Sequence, residues 1–180
     1  MKPDEIVSIY TSFKDDSKGW LGLHHQHFTQ FVSIILAVLA ASIAAISQFQ
    51  NNGWLLLVTV IAPVFNTILC FTAIKVCDRF YQRFLEHEAT AMKLFLISGL
   101  SQSLQKEFDK KEMTLFPKST HVLPERWVNS MSGYDTVENF VKDYLNKGSN
   151  QLIRRTFRAL AMFNIIIGIS IILFAVASFV

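Results

Sequence analysis

Two long parts of this chain lack charge altogether. Asp, Glu, Lys and Arg are absent from Phe28–Ile74 and from Ala159–Val180, so all 31 charged side chains lie in residues 1–27 and 75–158. The composition is also apolar, because 51% of the 180 residues are hydrophobic and only 17% are charged. A hydrocarbon solvent excludes ionised groups, whereas water does not, and this segregation therefore argues against a soluble protein.

Residues that carry chemistry are also scarce. The chain has two cysteines, Cys70 and Cys77, which are predicted to be free thiols in a reducing cytoplasm. Three histidines lie close together in "LHHQHF", but their spacing, even with His87 or His121 added, fits no strong zinc pattern. A glycine-rich phosphate loop is missing, and no nucleophile stands beside a base. We therefore expect no catalytic site, no metal and no cofactor.

Three apolar stretches are long enough to cross a membrane. A helix needs about 20 apolar residues to span a hydrocarbon core roughly 30 Å thick. Residues 28–48, 54–75 and 157–180 meet that length. Each is expected to be helical, because lipid offers no partner to an unpaired backbone amide. The predicted fold class is all-α: an integral membrane protein with three transmembrane helices and a cytoplasmic helical hairpin or small bundle.

The basic residues predict how the chain crosses the membrane. The connector at residues 49–53 contains no Lys or Arg, whereas residues 75–158 contain 14 of them. Cytoplasmic segments carry the excess of Lys and Arg, which places residues 76–156 and 1–27 in the cytoplasm and Val180 outside. Acidic residues precede the first apolar run, unlike a secretory signal. We expect a multi-pass protein of the inner (plasma) membrane.

The charged segments have helical patterns of their own. Residues 1–27 are predicted to be an amphipathic, interfacial segment. The second span is expected to continue as a helix to Gly99, residues 101–113 form a further helical piece, and a final helix begins at Asp135, with Glu138 completing a capping box. The predicted apolar faces are Phe80, Phe84, Ala91, Leu94 and Phe95 in the first of these helices and Val137, Phe140, Val141, Tyr144 and Leu145 in the last.

Small and mildly polar residues recur at helical spacing in every span. Lipid gives helices no hydrophobic reason to associate, so their contacts rest on close packing and interhelical hydrogen bonds. The predicted packing residues are Ser33, Ala37, Ala41, Ala45 and Gly168. A second set surrounds a bend expected at a proline and either holds the helices together or lines and gates a path. Its members are Thr59, Pro63, Asn66 and Asn164.

Three arginines stand immediately before the third span. Arg154, Arg155 and Arg158 are predicted to contact anionic lipid headgroups and to fix the topology. Residues 75–158 carry 14 basic and 10 acidic side chains that are mixed rather than clustered. Nucleic acid is therefore not an expected partner.

The layout of residues 5–100, a tight two-span hairpin that continues into a helix, resembles the SLATT-type membrane effectors of bacterial nucleotide-signalling defence systems. The stretch "DRFYQRFLEHEATAMKLFLISGL" is also similar to one found in small prokaryotic membrane proteins. The resemblance implies oligomerisation into a pore that damages the inner membrane when a partner senses infection. The third span departs from the two-span plan of that family, and no site residue is carried over.

Two functions are compatible with these patterns. The first is a homo-oligomeric inner-membrane protein that forms a pore or perturbs the membrane and is gated through its cytoplasmic helices. The alternative is a non-conducting scaffold or regulatory subunit that docks a cytoplasmic protein. Three helices enclose too little space for a channel, so the first function requires several copies of the chain around an axis. Both functions have the lipid bilayer as a partner.

Overall fold

The structure, a computed structural model, describes residues 3–46, 53–99 and 133–179. Within these ranges the chain is all-helical and has no strand, which confirms the all-α part of the predicted fold class. The helices are α1 (Pro3–Ile46), α2 (Gly53–Ile97), α3 (Val137–Tyr144) and α4 (Gly148–Phe179). The helical piece predicted over 101–113 lies outside the described residues, as does most of the connector at residues 49–53.

Three of the helices, α1, α2 and α4, are long and apolar enough to cross a membrane. The prediction of three such segments is therefore confirmed. The boundaries differ from those expected, because the amino-terminal segment and the first span form one helix of 44 residues. At 1.5 Å per residue α1 is about 66 Å long, roughly twice the thickness of a hydrocarbon core. No glycine or proline within α1 interrupts this continuity, since Gly19 and Gly22 are both accommodated as helix.

The chain divides into two compact units, and α1 and α2 contribute to both. The first unit contains Met1–Leu21 and Tyr81–Asn146, and the second contains Gly22–Phe80 and Lys147–Val180. Each unit has its own hydrophobic cluster. All of the uncharged sequence therefore belongs to the second unit, together with the charged residues that immediately adjoin it.

Three helices meet in the core of the second unit. Phe157 of α4 is fully buried, and its ring meets Phe28 and Phe31 of α1 edge-on, with centroid separations of 5.7 and 6.4 Å. The outward faces of these helices remain apolar, with exposed residues such as Ile61 and Ile166. The buried cluster comprises Ile35, Cys70, Ala73, Cys77, Ile153, Phe157 and Ala161. Burial inside and apolar exposure outside is the distribution that a lipid environment requires.

The core of the first unit joins the amino-terminal turns of α1, the later turns of α2, and α3. Tyr10 of α1 contacts Phe95 of α2, while Phe13 contacts His87, so the two helices run antiparallel within this unit. The predicted interfacial segment 1–27 thus packs on protein over its first turns. The buried cluster is Tyr81, Leu85, Ala89, Phe140 and Val141.

The buried face of α2 in this unit is rotated from the predicted one. Phe80, Phe84 and Leu94 are only half-buried, whereas Tyr81 and Leu85 are buried. The sequence assigned the largest apolar side chains to the core, but α3 packs against the neighbouring stripe of the helix. Ala91 and Phe95 are buried as predicted.

Helix ends follow local sequence signals. Gly99 has φ of 69° and its N–H bonds to the Leu96 carbonyl, which confirms the stop predicted for α2. Gly148, with φ of 63°, opens α4 directly after α3. The N-cap of α3 is Thr136, one residue later than the predicted Asp135. Its hydroxyl accepts a hydrogen bond from the backbone N–H of Asn139 at 3.2 Å. The predicted apolar face of α3 is confirmed.

Candidate functional site

A buried polar network lies in the second unit, where the charged sequence meets the uncharged sequence. Asp78 of α2 accepts from Arg154 of α4 through both carboxylate oxygens, at 2.6 Å from Nε and 2.7 Å from Nη2. Asn150, one turn earlier in α4, donates to Asp78 Oδ1 at 2.9 Å. The oxygen of the same amide lies 3.2 Å from Nε2 of His24 in α1. The network therefore joins all three apolar helices.

Helical spacing and burial explain why this network forms. Asn150 and Arg154 are four residues apart and share one face of α4, so both reach Asp78. His24 and Asn150 are 0% exposed, and the side chains of Asp78 and Arg154 are 24% and 19% exposed. A buried charge is costly unless it is paired and hydrogen-bonded. Here Asp78 and Arg154 form a bidentate pair, and the side-chain amide of Asn150 bonds to both Asp78 and His24.

The hydrogen bonds fix the tautomer of His24. Because the amide nitrogen of Asn150 donates to Asp78, the amide oxygen faces His24 and accepts from its Nε2–H. Burial lowers the pKa of His24, and the neighbouring His25 lowers it further. The Asn150 hydrogen bond and the carboxylate of Asp78 oppose this shift. The net direction favours the neutral imidazole in the folded chain.

Stability is expected to fall on acidification through His24. The unfolded chain binds a proton near pH 6.5, whereas the folded imidazole resists protonation to lower pH, so the free energy of unfolding decreases as pH falls below about 6.5. Thermal unfolding of the detergent-solubilised protein between about pH 7.5 and 5.5 measures this loss. His24→Gln should flatten the profile, while His25→Gln, at an exposed site on the same turn, should retain most of it, because His25 is a smaller cause of the shift than burial. Equal slopes in wild type and His24→Gln would contradict the assignment.

A second polar cluster lies deeper in the second unit. Asn66 of α2 donates from Nδ2 to the backbone oxygen of Ile35 in α1 at 3.0 Å and to Oδ1 of Asn164 in α4 at 3.1 Å. Asn164 in turn donates to the Leu160 carbonyl at 2.7 Å. Asn66 is 1% exposed and Asn164 is 0% exposed. A single amide thus links all three apolar helices.

The other residues of the predicted gating set lie on the same buried face of α2. Thr59 is 0% exposed and Pro63 is buried. Gly168 of α4 approaches Pro63 so closely that an added Cβ would lie 3.3 Å from the Cβ of the proline. Among the described residues, Oδ1 of Asn66 has no hydrogen-bond partner. Exchanging its oxygen and nitrogen would set two acceptors against it, so the observed amide orientation is favoured.

The predicted packing stripe of α1 is placed differently from the gating set. Ser33, Ala37 and Ala41 are exposed, and Ala45 is half-buried. Contacts within the chain use another face of α1, which carries Ile35, Leu39 and Ser42. Association through the small-residue stripe therefore remains a prediction about other copies of the chain.

The three arginines before the third span have different surroundings. Arg154 is bound by Asp78, so its guanidinium has a protein partner and is not left to lipid alone. Arg155 and Arg158 are exposed. The headgroup prediction applies to these two residues.

The first unit contains a buried carboxylate. Glu88 of α2 is 6% exposed and accepts from Lys14 Nζ at 2.5 Å and from Ser17 Oγ at 2.8 Å, both in α1. The ring of the adjacent His87 lies tilted against that of Phe13, with a centroid separation of 5.5 Å. Its Nδ1 lies 4.0 Å from the Asp16 carboxylate, beyond hydrogen-bond distance. These contacts fasten the first turns of α1 to α2.

Other candidate chemistry is limited in the part of the chain that the structure describes. No group of three metal-ligating side chains is present there. The two cysteines, Cys70 and Cys77, are free thiols, as the sequence predicted. A groove of about 180 Å³ lies between α2 and α3. Pockets for small ligands usually measure about 300–1,000 Å³, so this groove is too small for one. It is lined by Gln82, Glu86, Val137, Glu138, Val141, Lys142 and Leu145.

Comparisons with protein-family models, curated proteins and solved structures found no match to this chain. No family is assigned. The candidate sites therefore rest on their own geometry and charge.

Sequence reasoning found the asparagines but missed the network at Asp78 and the carboxylate of Glu88. A signal for the first was present, because Asp78 is the only acidic residue between Gly22 and Phe80 and basic residues surround it. A solitary acid beside an uncharged run needs a basic partner on another helix. Nothing local identified Glu88, since its partners lie 71 and 74 residues away.

Proposed function

We propose that this chain is a non-conducting, multi-pass protein of the inner membrane, a scaffold or regulatory subunit whose cytoplasmic helices dock a protein partner. One observation carries the proposal: the polar side chains of the apolar helices bond to one another inside a single chain. Asn66 and Asn164 are 1% and 0% exposed. They are therefore used in packing three helices and do not face a surface that copies of the chain share.

The outward surface of the same helices supports this function. Large apolar side chains cover it, including Phe65 and Ile68 of α2 and Ile165 and Leu173 of α4. A water-filled path between copies requires polar groups on such faces. Aliphatic and aromatic groups instead suit contact with lipid.

The division of charge supports the cytoplasmic assignment of the first unit. Of the 31 charged side chains, 24 belong to the first unit and seven to the second. The proposed topology places residues 1–27 and 75–158, which carry all 17 Lys and Arg residues, in the cytoplasm, where Lys and Arg are retained. The first unit then presents α3 and the later turns of α2 to cytoplasmic proteins. Self-association through the exposed stripe of α1 is compatible with this function.

Purified protein in liposomes is expected to pass no ions. The experiment follows release of a trapped fluorescent dye and the single-channel current of the wild-type chain at increasing protein-to-lipid ratio. A matched preparation of empty liposomes sets the background. Reproducible current that scales with protein would contradict the scaffold function.

Asn66→Leu is expected to loosen the three-helix packing without creating or abolishing flux. The variant loses two interhelical hydrogen bonds, each worth about 0.6 kcal/mol in a membrane and at most about 1.7. The free energy of unfolding should fall by about 1 kcal/mol, measured by titration with a denaturing detergent. Thr72→Leu, on the exposed face of α2, is the matched control and should remain near wild type. Unchanged stability of Asn66→Leu would remove the packing role.

A second candidate is the homo-oligomeric pore-forming effector implied by the family resemblance. One observation favours it: Oδ1 of Asn66 is buried without a partner among the described residues, one turn after Pro63. A buried acceptor without a donor is costly, and a proline weakens the helix beside it. A rearranged oligomer that supplies a donor would relieve that cost. In that case current appears in liposomes and Asn66→Leu alters it while assembly persists.

A further inference from the structure

The two units differ sharply in net charge. The second unit, residues 22–80 and 147–180, contains six basic side chains and one acidic side chain, a net charge of +5. The rest of the chain contains 11 basic and 13 acidic side chains, a net charge of −2. The positive excess of the protein therefore belongs to its apolar unit. The packing of apolar helices does not require these positive charges, so they indicate a negatively charged binding partner.

Four of the basic residues form what we call the basic belt: Lys75 and Arg79 of α2 and Arg155 and Arg158 of α4. All four are exposed. Among the described residues, none of them makes an ion pair with Asp or Glu. Arg154 is excluded, because the one carboxylate of the unit binds it. Asp78, the acidic residue nearest in sequence to Lys75 and Arg79, is thus already paired with Arg154.

The belt adjoins the uncharged stretches directly. Lys75 follows Ile74, the last residue of the long uncharged run, and Arg158 precedes Ala159, the first residue of the other. Lys75 and Arg79 are one helical turn apart and share a face, as do Arg155 and Arg158. Cys77 and Phe157, which lie between the members of these pairs in sequence, are 0% exposed. The belt therefore projects away from the core.

We propose that the basic belt binds the phosphate groups of anionic phospholipids in the cytoplasmic leaflet. This inference rests on the proposed membrane location of the second unit. At the depth where a helix leaves the hydrocarbon, long basic side chains reach the headgroups while their methylene stems stay in apolar surroundings. Guanidinium groups pair with phosphate oxygens through two parallel hydrogen bonds. Each such cation near the surface strengthens binding to an anionic membrane by about fivefold.

The charge pattern favours lipid over nucleic acid. The belt sits next to exposed aliphatic and aromatic groups, such as Phe71 on α2 and Met162 on α4. A phospholipid matches both features, because it presents an anionic group beside an apolar tail. A nucleic acid offers charge with no apolar partner for these side chains.

Native mass spectrometry of the full chain in a neutral detergent tests the proposal. Equal amounts of phosphatidylglycerol and phosphatidylcholine are added, and the retained lipid is counted for wild type and two double variants. Wild type should retain phosphatidylglycerol at least about fivefold over phosphatidylcholine. Lys75→Gln with Arg79→Gln and Arg155→Gln with Arg158→Gln should each reduce that preference by about fivefold. Equal preference in wild type and both double variants would overturn the proposal.

Lys93→Gln with Lys142→Gln is the matched control, because it removes two exposed positive charges from the first unit. It should retain the wild-type lipid preference. A comparable loss in the control would show that net charge alone sets binding, and the belt would lose its role. Circular dichroism and thermal unfolding check that all three variants keep their helices.

Two further arms separate the alternatives. Excess inorganic phosphate at constant ionic strength should leave phosphatidylglycerol bound, whereas its displacement would mark a free-phosphate site and overturn the lipid assignment. Extraction of cell membranes with alkaline carbonate tests the membrane location itself. A chain that resists extraction but shows no preference for anionic lipid refutes only this inference. A chain released by carbonate refutes the proposed function.

Discussion

Asp78→Asn is expected to lower the free energy of unfolding by about 2–4 kcal/mol. The substitution keeps the shape of the side chain but leaves the guanidinium of Arg154, which is 19% exposed, without its bidentate partner. Because a donor nitrogen replaces one carboxylate oxygen, the single remaining oxygen can no longer accept from both guanidinium nitrogens of Arg154 and from the Asn150 amide, through which His24 is held. Titration with a denaturing detergent, followed by circular dichroism, measures the change. The loss should extend to all three apolar helices.

Two companions make the Asp78 result specific. Asp15→Asn removes a carboxylate that is 67% exposed and, among the described residues, pairs only with the exposed Lys18, so its effect should be below about 0.5 kcal/mol. Combining Asp78→Asn with Arg154→Gln removes both charges and should recover part of the loss, because no unpaired cation remains. If Asp78→Asn is as stable as Asp15→Asn, the network does not hold the helices together.

Glu88→Gln is expected to detach the first turns of α1 from α2, at a cost of about 2 kcal/mol. The neutral amide loses the charge-assisted bonds from Lys14 and Ser17 that reach Glu88 in a site only 6% exposed. Lys14 is 32% exposed and can regain water, which keeps the effect below that of a fully buried pair. Hydrogen–deuterium exchange should show faster exchange in the amino-terminal turns of α1, with the apolar segments protected as in wild type.

Glu86→Gln is the matched control for Glu88→Gln. Glu86 lies two residues earlier and pairs with Arg83 at 3.0 Å on the surface of the same helix. Surface pairs of this kind contribute about 0–1 kcal/mol, so exchange in α1 should not change. Equal acceleration in both variants would mean that net charge, and not the buried contact, fastens α1.

Both predictions bear on how a signal would pass to or from a docked partner. The first unit is held through Glu88, and the second through Asp78 and Asn66. If a cytoplasmic partner competes for the surface around Glu88, the amino-terminal turns of α1 are the part most readily displaced. The same Glu88→Gln variant should then bind that partner more tightly, because the substitution has already weakened the contact between α1 and α2 that the partner must displace.

Particular residues show where sequence reasoning succeeded. The helical end at Gly99 and the apolar face from Val137 to Leu145 follow from local rules, since a left-handed glycine stops a helix and apolar spacing defines its buried side. The face of α2 that carries Thr59, Pro63 and Asn66 was also predicted, because polar residues within an apolar helix have few other places to go.

Other residues show where sequence reasoning fell short, and the reason is distance along the chain. The partner of Asp78 lies 76 residues away, and the partner of Asn66 lies 98 residues away. Helical periodicity gives the face on which a residue lies but not which helix covers that face. The error in the buried stripe of α2, where Tyr81 and Leu85 replace Phe80 and Phe84, has the same origin.

The sequence by itself determined that the chain is helical, that three helices are apolar enough for a membrane, and that charge is confined to the remaining segments. These properties follow from composition and residue spacing within single helices, because the preference of a residue for water or lipid does not depend on which helix lies beside it. The tertiary structure alone decided that Asp78 binds Arg154, that Asn66 binds Asn164, and that Glu88 secures α1. Such pairings depend on the rotation and register of one helix against another. Many residues of similar chemistry could serve as partners, so the pairings are decided only when the helices pack.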